Sequence, residues 1–136
     1  MKKYDVFISY SHADKTIAKG ICKYLDSQKI SYFIDDKDIP KGVSHSQFIS
    51  RSICQSRLLL AVFSKDYNSS EETDNEIMVA SRRHIPILVF RITEDDYDGT
   101  KEYYLIKSNR IDAFPEPEKY FSNLYNSICL LMGDKK

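Results

Sequence analysis

The chain has 136 residues, 42% of them hydrophobic and 29% charged, which fits one soluble globular domain with its own core. Twenty basic residues balance twenty acidic ones and form no basic stripe, so nothing selects nucleic acid or an anionic membrane surface as a partner. No apolar run approaches the roughly 18 to 20 residues of a membrane span, and Asp5 with the polar Ser9–Asp14 segment interrupts any signal-peptide core.

The chain alternates strand-like and helix-like runs. Tyr4 to Ser9 reads as a first strand whose apolar run, Val6-Phe7-Ile8, stops abruptly at small polar residues. Asp14 is expected to cap a helix reaching about Gln28, with Ile17, Ile21, Cys22, Tyr24 and Leu25 at helical spacing. A second strand over Ser31–Ile34 leads into a charged loop, Asp35 to Val43, and a second helix follows from Ser44 to Gln55. Arg57–Phe63 is a continuous apolar run of the kind buried on both faces of a parallel sheet. Ser64 to Thr73 reads as a polar loop, Asp74–Arg83 as a third helix and Ile85–Phe90 as a fourth strand.

Beyond it, Glu94-Asp95-Asp96-Tyr97-Asp98-Gly99 is an acidic turn, Tyr103–Ile106 a short helix and Arg110–Ala113 a short fifth strand. Pro115 and Pro117 exclude helix just after that strand, and a last helix over Tyr120–Met132 ends at Gly133. The pattern predicts an α/β, flavodoxin-like three-layer sandwich: a five-stranded parallel sheet in the order 2-1-3-4-5, with helices on both faces.

Cys22, Cys54 and Cys129 are odd in number and far apart, each inside a predicted helix. They read as small apolar core residues rather than a disulfide framework, and the expected compartment is a reducing cytoplasm. His12, His45 and His84 do not cluster with cysteines or carboxylates, so no metal site is expected. No Gly-x-Gly-x-x-Gly follows the first strand, and neither a P-loop nor a Gly-x-Ser-x-Gly elbow exists. A phospho-acceptor site fails as well, because the first strand ends in Ser9-Tyr10 and the third in Phe63-Ser64.

Three loops remain, and all should converge on the carboxyl edge of the sheet, where ligands bind in such folds. They carry Ser9-Tyr10-Ser11-His12, then Asp35-Asp36-Lys37-Asp38-Ile39-Pro40-Lys41-Gly42, then Tyr67 to Ser70 leading to Glu76. Together these segments resemble a TIR (Toll/interleukin-1 receptor homology) domain over essentially the whole chain. The matching stretches are Tyr4-Asp5-Val6-Phe7-Ile8-Ser9-Tyr10-Ser11, the BB-like loop from Phe33 to Gly42, Ile49 and Ile53 with Ser56-Arg57, and Ser64-Lys65-Asp66-Tyr67 followed by Ser70 six residues before Glu76.

The resemblance implies a single TIR domain spanning 1–136, and the ending Gly133-Asp134-Lys135-Lys136 is read as the edge of a domain excised from a longer protein. It implies two functional classes. One is an NAD-cleaving member that breaks the nicotinamide–ribose bond to give ADP-ribose or a cyclic ADP-ribose, acting in immune or anti-phage signalling. The other is a non-catalytic adaptor or effector that binds other TIR domains.

In the enzyme reading NAD+ is a substrate, no cofactor is needed, and Glu76 is catalytic. Ser9, Tyr10, Ser11, His12, Asp38, Lys41, Gly42 and Tyr67 would contact the substrate, and self-association into an oligomer or filament would complete the site. Glu76 also has a plainer reading as a first-turn glutamate favoured by the helix dipole. Glu72 stands where family enzymes often have Trp, so stacking on the base would fall to Tyr67 or Tyr10. A nucleoside deoxyribosyltransferase-like enzyme, which also sets a glutamate against an N-glycosidic bond, is a third reading that the four boxes disfavour.

Overall fold

The computed structural model describes residues 2–35 and 43–133. Five parallel strands form one sheet in the order β2-β1-β3-β4-β5. They are β1 (Tyr4–Tyr10), β2 (Tyr32–Ile34), β3 (Ser56–Phe63), β4 (Ile87–Arg91) and β5 (Asn109–Asp112). The helices are α1 (Lys15–Ser27), α2 (Val43–Cys54), α3 (Lys65–Asn68), α4 (Glu71–Arg82), α5 (Gly99–Leu105) and α6 (Phe121–Met132). The architecture and strand order are those expected from the alternation of apolar runs.

Period-two alternation divides the central strands between two cores. Val6, Ile8 and Tyr10 of β1, with Leu58, Leu60 and Val62 of β3, pack against α1 and α6. Phe7 of β1, with Leu59, Ala61 and Phe63 of β3, packs against Ile49 and Ile53 of α2, Ile77 and Ala80 of α4 and Leu105 of α5. Each fully buried aliphatic side chain contributes about 1.5–3 kcal/mol, so β1, β3 and β4 anchor the domain. The outer strands contribute far less: β2 is only half-buried, and Asn109, Arg110 and Asp112 of β5 are exposed. Charge on such an edge discourages further strand pairing.

Several local details depart from the sequence expectation. Asp14 stands at the N-cap of α1 as expected but makes no side-chain cap bond, and Ser11 caps the short 3₁₀ turn at His12–Asp14, accepting from the Ala13 N–H. The Asp14 carboxylate instead accepts a hydrogen bond from the Ser64 hydroxyl at the end of β3. The presumed loop from Ser64 to Thr73 contains α3 and the start of α4, each opened by a serine cap. Pro117 begins a 3₁₀ turn rather than excluding helix, because at the first position its missing N–H has no helical partner to lose. Among the described residues, no helix is long and apolar enough to cross a membrane. Cys22 and Cys129 are buried, Cys54 is half-buried, and all three are free thiols.

Candidate active site

Ser9 is a hydroxyl at a core position. It follows Phe7 by two residues, so it points to the same face of the sheet, and its register partner is Ala61 of β3. A buried hydroxyl there needs partners, and two are present. The Ser9 Oγ donates to Glu76 Oε1 at 2.7 Å and lies 2.8 Å from the Tyr67 hydroxyl. Serine has one proton, which goes to the carboxylate, so Tyr67 donates to Ser9. Ser9 and Tyr67 are 0% exposed and Glu76 is 3% exposed. Burial drives the Tyr67 pKa well above its ordinary value of 10, which keeps the phenol protonated and able to donate.

The segment carrying Tyr67 and Glu76 is braced from several sides. Ser64 accepts from the Tyr67 N–H at 3.1 Å, and Ser70 accepts from the Thr73 N–H at 3.3 Å. Thr73 Oγ1 closes the junction by donating to the Tyr67 and Ser70 carbonyls at 3.2 and 3.0 Å. Lys101 of α5, fully buried, reaches Asp74 Oδ1 at 2.6 Å and the Ser70 carbonyl at 3.1 Å, with its ammonium 4.9 Å from the Tyr67 ring centre. Burial lowers the Lys101 pKa, and its contact with Asp74 opposes that shift.

Because α4 opens at Glu71, Glu76 sits in its second turn and not its first. The helix-dipole account of this glutamate loses its ground there, since the effect fades beyond the first turn.

Between α2 and α4 lies a cleft of about 470 Å³, within the usual range for small-ligand sites. Its polar walls are Ser46 and Ser50 of α2 and Glu72, Asn75 and Glu76 of α4, with Ile49 and Val79 beneath. The contribution of α2 was missed in the sequence, although Ser46, Ile49, Ser50 and Ile53 carry the spacing of one helical face.

The histidine reading needs correction. His45 does gather with carboxylates, its Nε2 lying 3.2 Å from Asp35 Oδ2 with Glu72 alongside. Asp35 and His45 are ten positions apart with Glu72 well beyond them, and the packing of α2 against α4 brings the three together.

The other expected site residues are placed unevenly. Tyr10 is buried, and its hydroxyl donates to the Asp35 carbonyl at 2.6 Å. The Tyr67 ring is enclosed by Phe63 and Lys101. Neither ring therefore presents an open face for stacking. Ser11 and the exposed His12 belong to the turn after β1 and are not among the residues lining the cleft. Asp38, Lys41 and Gly42 lie outside the described residues, as does the rest of 36–42.

A family model described as the TIR domain matches residues 6–124. The chain belongs to the TIR domain family. This TIR domain is 34% identical over 83 residues to the disease resistance protein RPP5 of Arabidopsis thaliana, a match covering 57% of this chain and 5% of that protein. It is 32% identical over 76 residues to a probable 2' cyclic ADP-D-ribose synthase, TcpO, of Methanobrevibacter olleyae, covering 55% of this chain and 22% of that protein. The chain thus spans a small part of both relatives. Among solved structures it is similar in fold to a metazoan TIR-STING receptor from C. gigas, with a TM-score of 0.75 at 19% identity over 93% of this chain and 40% of that one.

Proposed function

We propose that this TIR domain cleaves NAD+ at the bond between nicotinamide and ribose, releasing nicotinamide with ADP-ribose or a cyclic ADP-ribose, in immune or anti-phage signalling. The observation that carries this reading is Glu76: a carboxylate buried to 3% exposure, oriented by Ser9, on the wall of a ligand-sized cleft. Similarity to a probable cyclic ADP-ribose synthase supports the same chemistry.

Nicotinamide in NAD+ leaves as a neutral molecule, so its departure needs no general acid. What must be stabilised is the positive charge that develops on the ribose, as in glycoside cleavage. A preorganised carboxylate in a water-poor site does this more effectively than one in bulk water. The Tyr67–Ser9–Glu76 chain supplies the preorganisation: the phenol donates to the serine and the serine to the carboxylate. Attack by water would give ADP-ribose, and attack by an atom of the substrate itself a cyclic product.

In this reading Ser11 and His12, which lie outside the cleft, reach only the part of NAD+ that extends beyond it, and Asp38, Lys41 and Gly42 are further candidates for binding the substrate. Association with further TIR domains completes the site, and the protein works in the cytoplasm. Chromatography of NAD+ incubations tests the proposal and names the product. Nicotinamide must appear together with ADP-ribose or a cyclic isomer, and a Glu76→Gln variant must yield neither.

A further inference from the structure

We propose that Asp35, His45 and Glu72 form a binding site for one divalent first-row transition cation of the Mn2+ or Zn2+ class, at the mouth of the cleft. The three residues arrive from different elements: the end of β2, the first turn of α2 and the first turn of α4. One donor atom from each lies within 4.8 Å of the other two. Tetrahedral bonds of about 2.0–2.2 Å to a single ion set ligand atoms about 3.3–3.6 Å apart, so the arrangement closes on a cation with side-chain shifts that shorten its widest pair by up to about 1.5 Å. The Asp35 Oδ2 to His45 Nε2 separation of 3.2 Å already suits two adjacent ligands.

The chemistry of the donors narrows the ion. Two carboxylates and one imidazole form a mixed oxygen and nitrogen set. Mg2+ and Ca2+ favour all-oxygen sites, and soft cations favour sulfur, whereas Mn2+ and Zn2+ accept this combination. The Asp35 and His45 side chains are 7% and 17% exposed, so two of the three donors are held away from bulk water, and the half-exposed Glu72 opens the third side to solvent.

The site is also anchored behind its ligands. The Tyr10 hydroxyl donates to the Asp35 carbonyl, which fixes the backbone of one ligand to β1. Glu72 precedes Glu76 by four residues, so both carboxylates lie on one face of α4, a single turn apart. Three protein ligands leave coordination positions for water or for an anionic oxygen of a molecule in the cleft.

The test is a titration of the chelator-treated protein with Mn2+ alone, followed by the loss of the free-ion electron paramagnetic resonance signal. Mn2+ avoids the three free thiols, which prefer softer metals. One Mn2+ per chain is expected, displaced stoichiometrically by Zn2+. Glu72→Gln and His45→Gln should each weaken binding by at least about tenfold. Glu71→Gln, an exposed neighbour that supplies no ligand, should leave affinity within about twofold.

Glu72 is half-exposed on a helix surface, so its variant reads binding without threatening the fold, which circular dichroism verifies. Failure to bind Mn2+, or equal losses from Glu71→Gln and Glu72→Gln, would overturn the assignment and leave an acidic surface with no defined site. The readout is binding itself, so its outcome is independent of NAD+ cleavage.

Discussion

Ser9→Ala removes one oxygen that two buried groups share as a partner. The Tyr67 hydroxyl loses its acceptor inside a fully enclosed site, and Glu76 Oε1 loses a 2.7 Å donor. Leaving a buried polar group unsatisfied costs about 1–3 kcal/mol, and more when it is charged. The stranded phenol and the lost hydrogen bond to a carboxylate together give an expected loss of about 2–4 kcal/mol, a large share of the roughly 5–15 kcal/mol that holds a domain folded. At this chain length each kcal/mol moves the melting temperature by about 3–4 °C, so a fall of roughly 6–16 °C is expected.

Tyr67→Phe alone leaves the Ser9–Glu76 bond in place and should cost about 1 kcal/mol. In the Ser9→Ala background it removes an already stranded hydroxyl and should cost nothing or restore some stability. The double-mutant cycle should therefore show coupling of about 1 kcal/mol or more. Urea unfolding followed by circular dichroism reads all four proteins. The reasoning fails if the two substitutions add independently, or if Ser9→Ala melts within about 2 °C of the parent.

Lys101→Met keeps the apolar stem but deprives Asp74 and the Ser70 carbonyl of their donor, so the urea midpoint should fall by the equivalent of about 2–4 kcal/mol. Ile77→Ala opens a cavity in the core beside Glu76 and should cost about 2–5 kcal/mol by the same measurement. Burial raises the Cys22 thiol from 9.0 to about 11, so the folded state holds a proton that the unfolded chain releases first. Its contribution to stability is intact below pH 9.0 and disappears as pH rises towards about 11. Cys22→Ala should flatten that part of the stability–pH curve, measured by urea midpoints across the range.

The architecture was legible because β1 and β3 carry uninterrupted apolar runs, such as Leu58 to Phe63, that only a strand covered on both faces can bury. Helix limits were less legible, because serine caps compete with the look of a polar loop. Ser64 and Ser70 open two helices inside a stretch that reads as loop from composition. Asp14 stands at the N-cap of α1, but its carboxylate is taken up by Ser64, fifty positions away in the chain.

Glu76 stood out by its place among the family boxes, whereas its support did not. The Ser9 bond spans 67 positions, and Lys101 reaches α4 from α5. Asp35, His45 and Glu72 carry no local spacing signal, since tertiary packing alone brings them together. A motif search sees residues along the chain, and a buried polar network is written across it.

Nicotinamide release from NAD+ tests the central claim most directly, measured for the parent protein and Glu76→Gln at high protein concentration with and without a crowding agent. The account predicts steady release by the parent and a loss of at least about a hundredfold in the variant, with the folded circular dichroism spectrum retained. Equal release from both proteins, or no release from the parent under any assembly condition, would contradict it.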